Sequence, residues 1–171
     1  LKQEIKEQKD SASKAIYSAT LAHQLMQNQH LSQKWSRETK SHPDSVREWS
    51  REEYMQHASD LYRYALRDLE LLHRVPTKEW IPLVNRGGDE KVYVSSMLAV
   101  VWQAMYSDIY YENRKTNGLP LFGTLIQFYK ERGLREAAFR LCMDSLFESS
   151  MASKKKYLLQ IKEEYKDLKS C

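Results

Sequence analysis

Between Val94 and Arg114 the chain is apolar nearly all the way round a helix. At about 100° per residue, Val94, Leu98, Val101, Trp102, Met105 and Ile109 make one broad face. Met97, Val100, Ala104 and Tyr111 widen that face, and only Ser96, Gln103, Ser107 and Arg114 form a polar strip. A helix with so little polar surface has to be surrounded by other elements. The run predicts a central helix over about 90–114, with Trp102 in the core, Tyr110 beside the polar strip and Tyr111 near the helix end. No segment alternates polar and apolar residues as a half-buried strand would. The fold class that follows is all-α.

The other helices come from periodicity and from the residues that stop them. Up to about Trp35, Ile5, Ala12, Ala15, Ala19, Ala22 and Met26 recur at three- and four-residue steps, a small-residue stripe that lets a neighbour approach closely. Pro43 and its polar neighbours break the pattern. In "WSREEY", Ser50 and Glu53 have the spacing of a capping box, and Trp49 and Tyr54 that of a hydrophobic staple. The helix they open is expected to run to His73, burying Tyr54, Ala58, Leu61, Ala65, Leu69 and Leu72. Trp80, Ile81 and Leu83 are expected to pin the long irregular stretch that follows, and Asp89 is a candidate cap for the central helix. Asn117-Gly118 and Pro120 mark a turn into a helix ending near Arg132. Gly133 is a candidate left-handed C-cap, and a helix beginning at Leu134 follows at once. The last helix, about 151–168, aligns Met151, Leu158, Ile161, Tyr165 and Leu168. The expectation is one compact domain over 1–171, a bundle or short solenoid of about six antiparallel helices.

Composition bounds the function. The 27 basic and 23 acidic residues leave a net charge of +4, which permits nucleic acid without requiring it. Two cysteines, Cys142 and Cys171, give no disulfide framework, and a reducing compartment is the default. No apolar run approaches the ~18 residues a membrane span needs. A start at Leu1, inside a charged helical pattern, reads as a piece of a longer intracellular protein, nuclear or cytoplasmic.

Catalytic constellations are scarce. Glu70 and His73 have the spacing used in carboxylate-bridged di-iron bundles, but no second such motif accompanies them. Glu53, His57 and Asp60 share a helical face, where acids early in a helix are what its dipole favours. No metal site and no cofactor is expected. There is no Gly-x-Ser-x-Gly elbow and no phosphate-cradling glycine loop. Arg51 to His57 and Arg67 to His73 have a spacing similar to that of HEPN ribonucleases, a resemblance implying cleavage that depends on the histidine. Nothing else of that group's pattern is present. Ile126, Tyr129, Gly133 and Ala137 resemble the LisH motif, except that the Tyr-to-Gly step is one residue short and Lys130 stands at an apolar position. No function is carried across from that resemblance.

The sequence is therefore read as a non-catalytic protein–protein interaction domain: a scaffold, an adaptor or a self-associating module. Tyr62, Tyr64, Trp80, Tyr110 and Tyr111 are the aromatics expected at a contact surface, because such rings serve as anchors at interfaces. The alternative is an RNA- or DNA-binding module using Lys154, Lys155, Lys156, Lys162 and Lys166 of the basic final helix, with Glu163, Glu164 and Asp167 interrupting the stripe. Cys142 shares a face with Ala138 and Leu146 and is expected to be buried.

Overall fold

A computed structural model describes residues 10–32, 49–83, 96–111, 119–148 and 151–168. The described residues are helical, and their only β-type pairing is an isolated bridge between Pro76 and Ser96. The chain divides into two compact units, Leu1–Arg86 with Ser95–Asn113, and Gly87–Val94 with Arg114–Cys171.

In the first unit, helix α1 spans Ser11–Ser32. Asp10 opens it, its Oδ2 accepting the Ser13 N–H at 2.7 Å, and that bond holds the Asp10 carboxyl below its ordinary range. The expected alanine stripe is buried, together with Ile16 and Met26. Its small side chains let α2, Arg51–Ala65, pack along it. The start of α2 is the one the sequence spells out. Ser50 Oγ accepts the Glu53 N–H at 3.2 Å, and Glu53 Oε2 accepts the Ser50 N–H at 2.7 Å. Trp49 meets Tyr54 edge-on at 5.5 Å, completing the staple.

The second helix does not continue to His73. It stops at Ala65, and α3 begins afresh over Leu69–Arg74. Asp68 causes the break: its extended backbone and its Oδ1, which accepts the Leu71 N–H at 2.9 Å, make it an N-cap rather than a mid-helix residue. A 3₁₀ segment, Thr77–Leu83, follows, kinked at Trp80. Trp80 is half-buried and pins the segment by meeting the Tyr17 ring edge-on at 5.7 Å. The side chains of Ile81 and Leu83 lie outside the described residues.

The expected central helix is central within this unit. Helix α4, Met97–Met105, packs against α1, α2 and α3 and buries Leu98, Val101, Trp102 and Met105. Each fully buried side chain of this size contributes roughly 1.5–3 kcal/mol. The helix departs from expectation at both ends. It starts after Ser96, whose side chain makes no capping bond, and Asp89 lies outside the described residues. It changes at Tyr106 into a π-helical segment, Tyr106–Tyr111.

The second unit holds α5, Leu119–Glu131, α6, Arg135–Glu148, and α7, Met151–Glu164. Gly133 (φ 71°) ends α5 as expected: its N–H reaches Lys130 O at 3.0 Å and the Leu134 N–H reaches Tyr129 O at 3.0 Å. This is a Schellman motif, and its left-handed residue turns the chain into α6. Helices α5 and α6 pack against each other, and Phe122, Leu125, Phe128 and Tyr129 of α5 and Ala137, Ala138 and Leu141 of α6 are buried. Cys142 is buried as expected, and burial pushes its thiol up, away from the reactive thiolate. No described helix is long and apolar enough to cross a membrane.

Candidate interaction surface

Two places hold groups that a simple helical core does not explain: a buried carboxylate in the first unit and an exposed apolar stretch in the second.

The buried carboxylate is Asp108, in the π-helical segment and 5% exposed. Its Oδ2 accepts the Tyr62 hydroxyl from α2 at 2.6 Å and lies 2.8 Å from His23 Nδ1 of α1. Tyr62 is fully buried, while half of the His23 side chain is open to solvent. The bond to Asp108 raises the His23 pKa against the opposing pull of burial. Burial first, then the bond to Asp108, pushes the Tyr62 phenol up, so it stays a neutral donor. A carboxylate that fixes one imidazole nitrogen leaves the other oriented, the arrangement a general base uses. Geometrically, the three residues tie α1, α2 and the π segment together.

This network corrects one sequence expectation. Tyr62 is not at the surface: Ala58 and Ala65 on the same face leave room for its ring, and Asp108 satisfies its hydroxyl. The other aromatics differ. Tyr64 is half-buried with the Arg67 guanidinium over its ring at 4.1 Å, and Trp80 is half-buried against Tyr17. The side chains of Tyr110 and Tyr111 lie outside the described residues. The residues weighed as ligands have other engagements. His57 stacks on Trp49 at 4.0 Å, Glu53 closes the capping box, Asp60 accepts from Gln56 and Glu70 pairs with Arg74. Among the described residues, no cluster of three groups able to hold a metal ion occurs.

The exposed stretch is on α7. The end of this helix is fixed to the α5–α6 layer. Tyr165 is buried and meets Phe139 at 5.4 Å. Arg135 grips both carboxylate oxygens of Asp167, with Nη2 to Oδ1 at 2.7 Å, and also donates to Glu164 O at 2.9 Å. Lys130 Nζ is 2.5 Å from Glu164 Oε1. The Arg135 bond holds the Asp167 carboxyl below its ordinary range. About two turns earlier, no described residue covers the outward side of the helix. Tyr157, Leu158 and Leu159 are 47%, 46% and 61% exposed. Leu158, expected to face inward, does not, and Lys154 beside it is only half-buried. Three bulky apolar residues in a row span about 200° of a helix, so no single neighbour can cover them all.

The basic residues singled out in the sequence gather here. Lys154, Lys155 and Lys162 line, with Leu158 and Leu159, an open groove of about 510 Å³. Lys156 is exposed on the same turn, and Lys166 is held by Glu163 at 2.7 Å. Sequence reasoning missed His23 and Asp108, although Asp108 is the single charged residue between Val94 and Tyr111. A lone acid on a buried helix needs a polar partner, and that signal was present.

Compared with known proteins, the chain matches no protein-family model, no curated protein and no solved structure.

Proposed function

We propose that the chain is a non-catalytic protein–protein interaction module whose contact surface is the exposed flank of α7 over residues 154–162. The observation that carries this reading is the exposure of Tyr157, Leu158 and Leu159 side by side on a helix whose other end is clamped by Tyr165, Arg135 and Lys130. Clustered apolar side chains left in water on an anchored helix favour a partner that buries them. The half-buried Tyr64 and Trp80 are engaged with Arg67 and Tyr17, and so offer less free surface than α7 does.

A photoreactive residue placed at position 159, or at Arg140 on α6 as a control, tests this in cells. The reading expects a defined protein adduct from position 159 only. That protein, once purified, should bind the wild-type chain and lose affinity for the Leu158→Glu, Leu159→Glu variant. Equal adducts from both positions would contradict it.

The second reading is an RNA- or DNA-binding module. The gathering of Lys154, Lys155 and Lys162 around one groove supports it, with Lys156 alongside. It ranks second because phosphates make no use of Leu158 and Leu159. A mobility-shift assay at two salt concentrations separates the readings, since phosphate binding weakens steeply with salt.

A further inference from the structure

We infer that the α7 groove takes an acidic amphipathic segment of another protein: leucine-type side chains against Leu158 and Leu159, with Asp or Glu reaching the lysines between and beside them. The inference rests on the reading of α7 as the contact surface and adds the chemistry of its occupant.

Charge complementarity is the argument. At about 100° per residue, Leu158, Lys162, Lys155 and Leu159 follow one another around one flank of α7, next to the inward side that carries Ile161 and Tyr165. The groove is thus lined by the two leucines and by the apolar stems of Lys154, Lys155 and Lys162, with Lys155 and Lys162 lying between Leu158 and Leu159 around the helix. Among the described residues none of these lysines, nor Lys156, is in an ion pair. The acids of α7 and its end are engaged elsewhere: Glu163 with Lys166, Glu164 with Lys130 and Asp167 with Arg135. Among the described residues, Lys154, Lys155, Lys156 and Lys162 are therefore uncompensated.

Each alternative occupant fits one part of the groove and not the other. A second copy of this groove would set lysines against lysines, a repulsion. Nucleic acid satisfies the lysines but leaves Leu158 and Leu159 against phosphate and sugar. A neutral apolar helix covers the leucines and leaves the lysines without counter-charges. A helix carrying leucines at three- and four-residue spacing, flanked by Glu, satisfies both sets at once. Surface charges of this kind raise the association rate and sharpen specificity more than they add affinity.

Fluorescence anisotropy on the full chain tests this with three labelled helical peptides: one Leu-faced with Glu flanks, one with each Glu changed to Gln, and one with each Leu changed to Ser. The Leu/Glu peptide should bind, and each of the other two should bind about tenfold or more weakly, the scale of a few surface charges or one buried methyl-rich side chain. Lys155→Gln, Lys162→Gln should lower affinity for the Leu/Glu peptide about tenfold while leaving the Gln peptide unchanged. All substituted positions are exposed, and circular dichroism of each variant checks that the helices remain.

If the Gln peptide binds as tightly as the Glu peptide, the acidic-partner inference fails while the interaction reading stands. If binding survives Leu158→Ser, Leu159→Ser, the assignment of the surface to α7 fails as well. Binding to an RNA oligonucleotide or to anionic vesicles more tightly than to the Leu/Glu peptide overturns the inference. So does concentration-dependent dimerisation in light scattering that the Leu/Glu peptide does not compete away.

Discussion

The Tyr62 hydroxyl donates to Asp108 Oδ2 across 2.6 Å, joining α2 to the π-helical segment inside the first unit. Both residues are buried, and the same oxygen also meets His23. Hydrogen bonds to a charged group contribute about 1.5–3 kcal/mol, and a buried partner left unpaired costs a similar amount. Tyr62→Phe should therefore destabilise the protein by about 1–3 kcal/mol, and Asp108→Ala by at least as much. Urea denaturation of the two variants and of Tyr62→Phe, Asp108→Ala checks this. The double variant should lose less than the sum of the two single losses, because the partners share one interaction. Additive losses would mean that the bond does not contribute.

The His23 side of the network gives a pH dependence. Its pKa is raised in the folded state, chiefly by the bond to Asp108. The stabilisation is fully present below the unfolded histidine value of about 6.5 and is lost as pH rises through the higher folded value. Wild type should exceed His23→Gln in stability at pH 5.5 or so and lose that margin toward pH 8.5, conditions spanning the ordinary histidine pKa of about 6.5. Half of the ring is in water, so screening keeps the margin under about 1 kcal/mol. A margin that grows with pH would contradict the assignment.

The cap of α2 should be felt locally. Ser50→Ala removes the side-chain acceptor for the Glu53 N–H and should cost about 1 kcal/mol, whereas Ser50→Asp should be nearly neutral. Amide exchange at Glu53, measured by NMR, should speed up in the alanine variant.

Gly133 separates conformational cost from crowding. A Cβ built there meets nothing within 4 Å, so only the left-handed backbone opposes substitution. Gly133→Ala should cost about 1–2 kcal/mol by thermal denaturation and Gly133→Asn less, since Asn tolerates that region. An equal cost for both would point to contacts instead of backbone.

What the sequence made legible follows from how local each signal is. The capping box, the staple, the alanine stripe and the Gly133 turn each depend on residues a few positions apart, and all four are where the pattern put them. The broken second helix was legible in principle, because Asp68 is a cap residue, yet the apolar rhythm from Tyr54 to Leu72 runs straight across the break and hides it. Tyr62 was misplaced because its burial depends on Asp108, a partner 46 residues away. The exposed leucines of α7 went unseen for a related reason: a helical wheel orders residues around one helix but does not say how far the neighbouring helix extends. Leu158 and Tyr165 lie on nearby flanks, but only Tyr165 has α6 beside it.

A partner is expected to cover the exposed flank of α7 over residues 154–162. The direct measurement is an NMR titration of the isotope-labelled chain with the Leu/Glu peptide, following every backbone amide. Shift changes should be concentrated in residues 154–162, with the amides around His23, Tyr62 and Asp108 unmoved. Changes centred on that buried network, or none on α7 at saturating peptide, would contradict it.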